Sequence, residues 1–330
     1  MHKDNHMDRE KAMVAGIDLG GTNIEVGLID HDGTVMARKG LPTKDFKDAM
    51  DFVKALRQAL MELDPGNGKE LVAIGLGAPN GNYYSGSIEH APNLQWKGIV
   101  PLAKMVEEEM GVPTVLTNDA NAAAIGEAFF GGAREMQNFI SVTIGTGLGS
   151  GIYVDGELAY GHSGFAGELG HTIVVPGGRQ CTCGRKGCLE AYVSARGLVD
   201  NCREVLKEHA NGSPLAGMNG HLKPKAIFKA AQEGDEVAIK AFQKTGHYLG
   251  LSLANAAAIL SPEAIFLFGG LMQAGSLLMD PTTEYLNEAL LPILQGTVKI
   301  KTSSLNEENA AVLGAGALAW SEIGKLSAEP

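Results

Sequence analysis

The fold is decided by the stretch VAGIDLGGTN at residues 14–23, in which an apolar strand runs into a glycine-rich turn. The alternating segment at 24–30 predicts a second strand, and the Asp-Gly pair at 32–33 predicts a hairpin turn after it. The same order returns at residues 139–154, where the strand FISVTI precedes the turn GTGLG at 145–149 and a further strand. The sequence therefore contains an internal repeat of architecture.

The two glycine-rich turns are candidate phosphate-binding sites. Glycine lets the backbone approach a ligand closely, and successive backbone N–H groups form a concavity that binds anions. The predicted nucleotide-binding residues are Asp18, Gly20, Gly21, Thr22 and Asn23 in the first turn and Gly145, Thr146 and Gly147 in the second. Asp18 ends the first strand, where a carboxylate could hold the water shell of Mg²⁺. For either turn alone, an ordinary hairpin is the alternative.

The composition bounds the class of protein. Glycine makes up 44 of the 330 residues, nearly twice the usual share of about 7 %. The 13 prolines and the lack of a Gly-x-y period exclude collagen and a disordered chain. The net charge of −11 argues against nucleic-acid and membrane-surface partners, because both need basic patches. The sequence has no apolar run of about 18 residues, and residues 1–11 lack a signal-peptide core, so a cytoplasmic protein is expected.

Asn118 and Asp119 stand between a predicted strand and an alanine-rich helix. Either residue is a good helix cap, and capping alone is one interpretation. The functional interpretation makes Asp119 a general base, which removes the proton from a hydroxyl as its oxygen attacks a phosphoryl group.

His171, Cys181, Cys183 and Cys188 follow the spacing H-x9-C-x-C-x4-C. Three thiolates and one imidazole suit a structural Zn²⁺ with four tetrahedral ligands. Unrelated buried cysteines are the alternative, and Cys202, on a predicted helix, is interpreted in that way. Glu168, His171 and Glu190 surround this cluster in sequence and could together receive the hydroxyls of a sugar. Surface ion pairing is the alternative for each glutamate.

These motifs resemble the ROK family of repressors and sugar kinases, within the hexokinase–actin–Hsp70 superfamily. The most specific match is CTCGRKGCLE at 181–190, which is similar to the family signature CxCGxxGCxE, and GELGH at 167–171 resembles the motif before it. The turns at 18–23 and 145–149 resemble the two phosphate motifs. Gly269-Gly270, after a predicted strand, resembles the adenosine motif, so these two glycines are expected at the nucleoside.

The resemblance implies an α/β fold of two ribonuclease-H-like (actin-like ATPase) domains with a central cleft. On this basis residues 1–12 are a disordered tail. A small α/β domain spans 13–117 and takes back the C-terminal helix at 310–326. A large α/β domain with the zinc-binding loop spans 118–309.

The resemblance also implies ATP-dependent phosphorylation of a hexose, with glucose and its 6-hydroxyl as the expected acceptor. Asp119 matches the catalytic base, and ATP, Mg²⁺ and a structural Zn²⁺ are the implied cofactors. A homodimer is expected from the family and from the apolar helices after residue 235. The positions that match sugar contacts are Gly77, Asn80, Asn93, Asn118, Asp119, Glu168, His171 and Glu190.

Two alternatives stay open at this point. The family's usual Gly-Pro pair and Asp are replaced here by Asn80-Gly81-Asn82-Tyr83-Tyr84. The hexose could therefore be N-acetylmannosamine, N-acetylglucosamine, allose or fructose. Glu168 and Glu190 nevertheless favour an aldose. A transcriptional repressor or sugar sensor is the other class. It is disfavoured because only about a dozen residues precede the first strand, too few for a helix-turn-helix domain of about 70–80 residues, and because Asp119 is present.

Overall fold

The structure, a computed structural model, describes residues 9–63, 66, 68–91, 94–209, 212–218, 221–305 and 309–328. Residues 1–8 of the expected tail lie outside this range. Residues 9–12 differ from the expectation of disorder, because Arg9–Lys11 form a 3₁₀ turn and Ala12 begins the first strand. Ala12 and Met13 are buried, so the apolar core extends to the start of this strand.

Most strands of the described chain lie before residue 160, and most helices lie after residue 190. The strands are β1 (Ala12–Leu19), β2 (Asn23–Ile29), β3 (Val35–Pro42), β4 (Glu70–Ala78), β5 (Gly81–Asn82), β6 (Ser87–Glu89), β7 (Ile99–Val100), β8 (Thr114–Asn118), β9 (Phe139–Ile144), β10 (Leu148–Val154), β11 (Glu157–Leu158), β12 (Ala264–Phe268) and β13 (Lys299–Thr302). The helices are α1 (Ala49–Leu63), α2 (Leu102–Met110), α3 (Asp119–Phe129), α4 (Ala195–Glu208), α5 (Pro224–Gln232), α6 (Glu236–Leu260), α7 (Ser276–Ala289) and α8 (Ala310–Ala328). None of the helices within this part of the chain is both long and apolar enough to cross a membrane.

Two five-stranded sheets share one topology. The first has the order β3-β2-β1-β4-β8, and the second has the order β11-β10-β9-β12-β13. In each, an antiparallel hairpin (β1–β2 or β9–β10) is followed across the sheet by parallel strands. The internal repeat predicted from the sequence is therefore present, and with it the fold of two ribonuclease-H-like α/β domains. A small third sheet joins β5, β6 and β7.

The chain divides into two compact units. The first contains the described residues up to Met136, the segment Leu158–Ala166 and the described residues from Ser304 onward. The second contains Gln137–Glu157 and Gly167–Ser303. The predicted boundary at residue 117 thus lies within the first unit, because α3 packs closely on α8: a Cβ added at Gly314 would overlap the carbonyl oxygen of Ala122.

Helix α8 rests directly on the backbone of the first sheet. A Cβ at Gly16 in β1 would overlap the carbonyl oxygen of Val312, and one at Gly75 in β4 would overlap that of Ala315. The two glycines lie side by side in the parallel register of β1 and β4. Trp320 then donates its indole N–H to the carbonyl of Asp30 at 3.1 Å. Part of the glycine surplus therefore serves helix–sheet packing rather than a ligand.

The second unit has its own core. Apolar residues of β9 and β12 face helices α4, α6 and α7 in one buried cluster, represented by Val142, Ile265, Leu198, Leu253 and Leu286. Arg179 stacks on the ring of Tyr192, 4.4 Å from the ring centroid, and pairs with Glu204 at 2.7 Å. These contacts hold the start of the cysteine loop against α4.

Candidate active site

Asn118 and Asp119 lie where β8 ends and α3 begins. Asn118 is the N-cap, and its side-chain oxygen accepts the N–H of Ala120 at 2.9 Å. Asp119 is the first helical residue, and its Oδ1 accepts the same N–H at 2.8 Å. Asn118 therefore caps α3. The Asp119 carboxylate sits at the positive end of the helix, which is where a negative charge is stabilised.

Asp18 and Asp119 form an acidic pair within the first unit. Burial raises the pKa of Asp18 to about 7, and the negative charges of Asp119 and Glu25 add to the effect. Burial also raises the pKa of Asp119, against the opposing hydrogen bond from Ala120. Asp119 is exposed, so a substrate can reach it, while the protein atoms packed around it raise the pKa of its carboxyl. A carboxylate whose pKa is raised is a better proton acceptor at neutral pH.

The first predicted phosphate turn connects β1 to β2. Gly20 donates its N–H to the carbonyl of Asn23 at 3.0 Å, and Thr43 holds the carbonyl of Gly20 at 2.7 Å. Gly21, Thr22 and Asn23 are exposed. Asp18 lies two residues before this turn, so the structure brings the acidic pair and the turn to one edge of the first sheet.

The second predicted phosphate turn connects β9 to β10 at the corresponding place in the second sheet. Gly145 donates to the carbonyl of Gly147 at 2.9 Å, and Thr146 is exposed between them. The carbonyl of Gly145 accepts the N–H of Ala195, the first residue of α4, at 2.8 Å. The turn is therefore closed internally and attached to α4.

Gly269 and Gly270 follow β12 and lie beside this second turn. Gly269 has a φ of +97°, which favours glycine, and a Cβ there would be 2.7 Å from the carbonyl oxygen of Ile144. Gly270 is exposed, with open space where a Cβ would stand. Since Ile144 directly precedes Gly145, the structure brings the predicted adenosine residues and the predicted phosphate residues together.

The four predicted metal ligands converge. One ligand atom each from His171, Cys181, Cys183 and Cys188 lies within 4.8 Å of the others. Nδ1 of His171 is 3.7 Å from the Cys181 sulfur, and the sulfurs of Cys183 and Cys188 are 3.6 Å apart. A tetrahedral zinc with Zn–S bonds of about 2.3 Å separates its ligand atoms by roughly 3.8 Å. The donor set and its spacing therefore fit zinc, with Nδ1 as the imidazole ligand.

The second imidazole nitrogen of His171 points away from the cysteines. Its Nε2 lies 3.9 Å from a carboxylate oxygen of Glu168, which is exposed. A metal on Nδ1 would fix the orientation of the ring, so that Nε2 and Glu168 present polar atoms side by side.

Glu190 is bound by the protein at both oxygens. Its Oε2 accepts the N–H of Leu148 at 3.0 Å, and its Oε1 accepts the hydroxyl of Thr182 at 3.0 Å. Thr182 was not among the predicted site residues. Its position between two metal ligands is the only sequence signal that could have singled it out.

The end of β4 and the loop after it hold Gly77 and Asn80, two of the remaining predicted sugar positions. Gly77 is buried against α3, where a Cβ would lie 3.2 Å from that of Ala122. Asn80 has a φ of +51° and donates its amide to the carbonyl of Glu89 at 2.9 Å, so it anchors the loop. Asn93 lies outside the described residues.

One part of this loop was not predicted. Asn82 is buried and donates its amide to the carbonyl of Ser163 at 3.0 Å. Tyr83 stacks on Tyr160 with the ring centroids 4.1 Å apart. These contacts explain why the segment Leu158–Ala166 groups with the first unit, although the predicted boundaries place it in the large domain at 118–309.

Comparison with known proteins decides the family. The profile of the ROK family matches residues 14–322. This chain belongs to the ROK family. The identification made from the sequence is confirmed, as is the two-domain actin-like ATPase fold.

Several ROK relatives are similar over almost the whole chain. It is 34 % identical over 308 residues to a glucokinase of Halalkalibacterium halodurans, which covers 91 % of this chain and 93 % of the relative. It is 38 % identical over 279 residues to a glucokinase of Streptomyces coelicolor, covering 82 % and 85 %. The structure resembles a ROK family glucokinase from Streptomyces griseus in complex with glucose and AMPPNP, with a TM-score of 0.78, 32 % identity and coverage of 94 % and 100 %.

ROK regulators are also relatives. The chain is 30 % identical over 322 residues to a xylose repressor of Caldicellulosiruptor bescii, covering 96 % of this chain and 80 % of the repressor. Enzymes and repressors of this family thus share the fold, and the choice between them depends on the site.

Proposed function

We propose that this chain is an ATP-dependent hexose kinase that phosphorylates glucose at its 6-hydroxyl. The observation that carries the proposal is Asp119, a carboxylate with a raised pKa at the N-terminus of α3. Phosphoryl transfer to an alcohol is promoted by such a base, which takes the hydroxyl proton as the alcohol oxygen attacks phosphorus. The similarity to proteins named glucokinase, and to one solved with glucose and AMPPNP, supports ATP and glucose as substrates.

In the proposed mechanism, Asp119 accepts the proton of the 6-hydroxyl while that oxygen attacks the γ-phosphorus of ATP. The bond from this phosphorus to the β,γ-bridging oxygen breaks, and ADP leaves. In the second unit, the N–H groups of the turn after β9 would receive phosphate oxygens and Gly269-Gly270 would lie at the nucleoside. The turn after β1 is the corresponding phosphate turn of the first unit. Mg²⁺, when bound, neutralises the charge that develops on the transferred phosphoryl group. Asp18 is the residue that would hold that ion, and cation binding would stabilise the ionised form of Asp18 against the burial that favours protonation.

The hexose is bound, in this proposal, by the polar residues that match the family's sugar contacts. These are Asn80, Asn93, Asn118, Glu168, His171 and Glu190, with Gly77 beside the base. Nε2 of His171 and Glu168 offer adjacent polar atoms to vicinal hydroxyls. A kinase for N-acetylmannosamine, N-acetylglucosamine, allose or fructose keeps the same chemistry and differs in these contacts.

The cysteine cluster is proposed to hold one structural Zn²⁺. Four protein ligands would leave no open position, so the ion would shape the loop and orient His171 rather than activate water.

We further propose a cytoplasmic homodimer, since the reaction draws on ATP and the second unit carries exposed apolar residues. Ile259 and Ile293 are each 82 % exposed and Leu291 is 51 % exposed. Light scattering that gives a dimeric mass would support this assembly, and a monomeric mass would contradict it.

The decisive experiment is an ADP-release assay with ATP across a panel of hexoses. Turnover that is highest on glucose would support the proposal, and turnover on another hexose would reassign the substrate. No turnover on any hexose would favour the sugar-sensor class. A DNA-binding repressor is disfavoured by the net charge of −11.

A further inference from the structure

The carboxylate of Glu190 is shared by two loops. Leu148, which donates to its Oε2 at 3.0 Å, is the first residue of β10 after the second phosphate turn. Thr182, which donates to its Oε1 at 3.0 Å, belongs to the cysteine loop. The sulfur of Cys181 lies 3.7 Å from the same Oε1. One side chain therefore ties the phosphate turn to the cysteine loop.

The shape of the phosphate turn depends on this carboxylate. A Cβ at Gly147 would stand 2.6 Å from Oε2 of Glu190, too close for any side chain unless the carboxylate moves. Gly147 in turn accepts the N–H of Gly145. The turn is thus fixed from inside by its own hydrogen bond and from outside by Glu190.

The same residues face one cavity. Thr146, Cys181, Thr182 and Glu190 all line a cavity of about 340 Å³ in the second unit, a volume within the range of ligand sites. The N-cap of α4, Ser194, lines it as well. A ligand that enters this cavity meets the phosphate turn and the cysteine loop together.

We propose that Glu190 is a positioning residue for the phosphoryl donor, through which the cysteine loop sets the conformation of the phosphate turn. This inference rests on the proposed binding of ATP at Gly145–Gly147 and is separate from any sugar contact of Glu190. Hydrogen bonds to a carboxylate are strong and directional. Loss of the Thr182 bond leaves Oε1 with the longer 3.7 Å contact to the Cys181 sulfur, which holds the carboxylate less firmly, so the Leu148 N–H loses its fixed acceptor.

The test is Thr182→Val, which removes the donor to Oε1 and leaves Glu190 and all four cluster residues in place. Thr182→Ser is the rescue, because it keeps the hydroxyl. Thr297→Val is the matched control, because Thr297 is exposed in the same unit and its hydroxyl bonds only the local carbonyl of Leu294. Two readouts apply: hydrogen exchange at the Leu148 amide, and binding of a fluorescent non-hydrolysable ATP analogue without hexose.

We expect faster exchange at Leu148 and about fivefold weaker analogue binding in Thr182→Val, in line with the cost of a hydrogen bond to a charged group at a partly exposed site. Thr182→Ser and Thr297→Val should match the wild type. Unchanged exchange at Leu148 would overturn the inference even if the protein is a kinase. Unchanged analogue binding despite faster exchange would also overturn it. If the wild-type protein does not bind the analogue, the proposed function fails at this turn, and the exchange readout alone still shows whether the two loops are coupled.

Should Thr182→Val fold poorly, Glu190→Gln provides the second variant. It removes the charge while leaving Thr182 in place, and it is expected to weaken analogue binding without hexose. A role of Glu190 confined to sugar contact predicts a change in hexose affinity alone.

Discussion

Asp119 at the start of α3 acts electrostatically on Asp18 at the end of β1. After burial, the negative charge of Asp119 is the next cause that raises the pKa of Asp18 to about 7. The two carboxylates therefore cannot ionise independently: a charge on one disfavours a charge on the other. A divalent cation near them would relieve this repulsion.

Replacing the proposed base tests its role directly. Asp119→Asn keeps a side-chain oxygen for the N–H of Ala120, so α3 should begin normally. We expect kcat to fall by about 10²–10⁴-fold, because the carboxylate that accepts the proton is gone, while hexose still binds. The measurement is steady-state kinetics with calorimetric hexose binding. Asp280→Asn, an exposed position in α7, is the control; an Asp119→Asn enzyme with wild-type turnover would remove Asp119 from the mechanism.

The raised pKa of Asp18 makes stability depend on pH. Between about pH 4 and 7 the unfolded chain releases this proton while the folded protein retains it. The free energy of unfolding should therefore fall as pH rises through this window, by at most about 1.4 kcal/mol per pH unit from this group. Asp18→Asn lacks this titrating group, so it should be more stable than the wild type at pH 8. It should also be inactive, because the carboxylate proposed to hold Mg²⁺ is gone. Denaturant unfolding in EDTA, repeated across this pH range, measures this dependence. If the free energy of unfolding changes with pH by the same slope in both proteins, the raised pKa is not that of Asp18.

The cysteine cluster predicts a specific metal content. Protein purified without chelator should carry about one zinc per chain, and Cys183→Ser should lose it together with thermal stability. Cys202→Ala is the matched control, because Cys202 is buried in α4 outside the cluster and its loss should lower Tm without changing zinc content. Elemental analysis decides; a metal-free wild type with the same Tm as Cys183→Ser would exclude a structural ion.

The glycine contacts of α8 predict a steric effect on stability. Gly75→Ala places a methyl group in the space of the Ala315 carbonyl oxygen, so the helix must shift. We expect a loss of about 1–3 kcal/mol in the free energy of unfolding. Gly217→Ala is the control, because nothing lies within 4 Å of its Cβ position, and it should stay within about 0.5 kcal/mol of the wild type. Similar losses in both variants would show that helix–sheet contact is not the cause.

Much of the fold could be predicted because local patterns agree with the global topology. The apolar strand, glycine turn and alternating strand at 14–30 need only local sequence, and so does its copy at 139–154. The convergence of the four candidate metal ligands could be predicted because three cysteines within eight residues restrict the loop that joins them.

The remaining features depend on contacts that are distant in sequence. Asn82 reaches Ser163, and Gly75 makes room for Ala315, yet neither residue carries a periodic signal. The predicted boundary at residue 117 came from a strand–helix junction, whereas the compact unit is set by the packing of α3 on α8. Glu190 was predicted from its motif as a sugar contact, but its two hydrogen bonds to Leu148 and Thr182 follow only from the folded positions of these loops.

The contact of α8 with β1 and β4 has a consequence for synthesis on the ribosome. The first unit starts with β1, yet the helix that covers its glycine face is translated about 300 residues later. Translation proceeds at about 5–20 residues per second, so this face of the first sheet stays uncovered for tens of seconds. The second unit, complete by Ser303, can fold sooner. A nascent chain stalled before residue 310 should therefore bind chaperones through the N-terminal half of its sequence and release them once α8 has emerged.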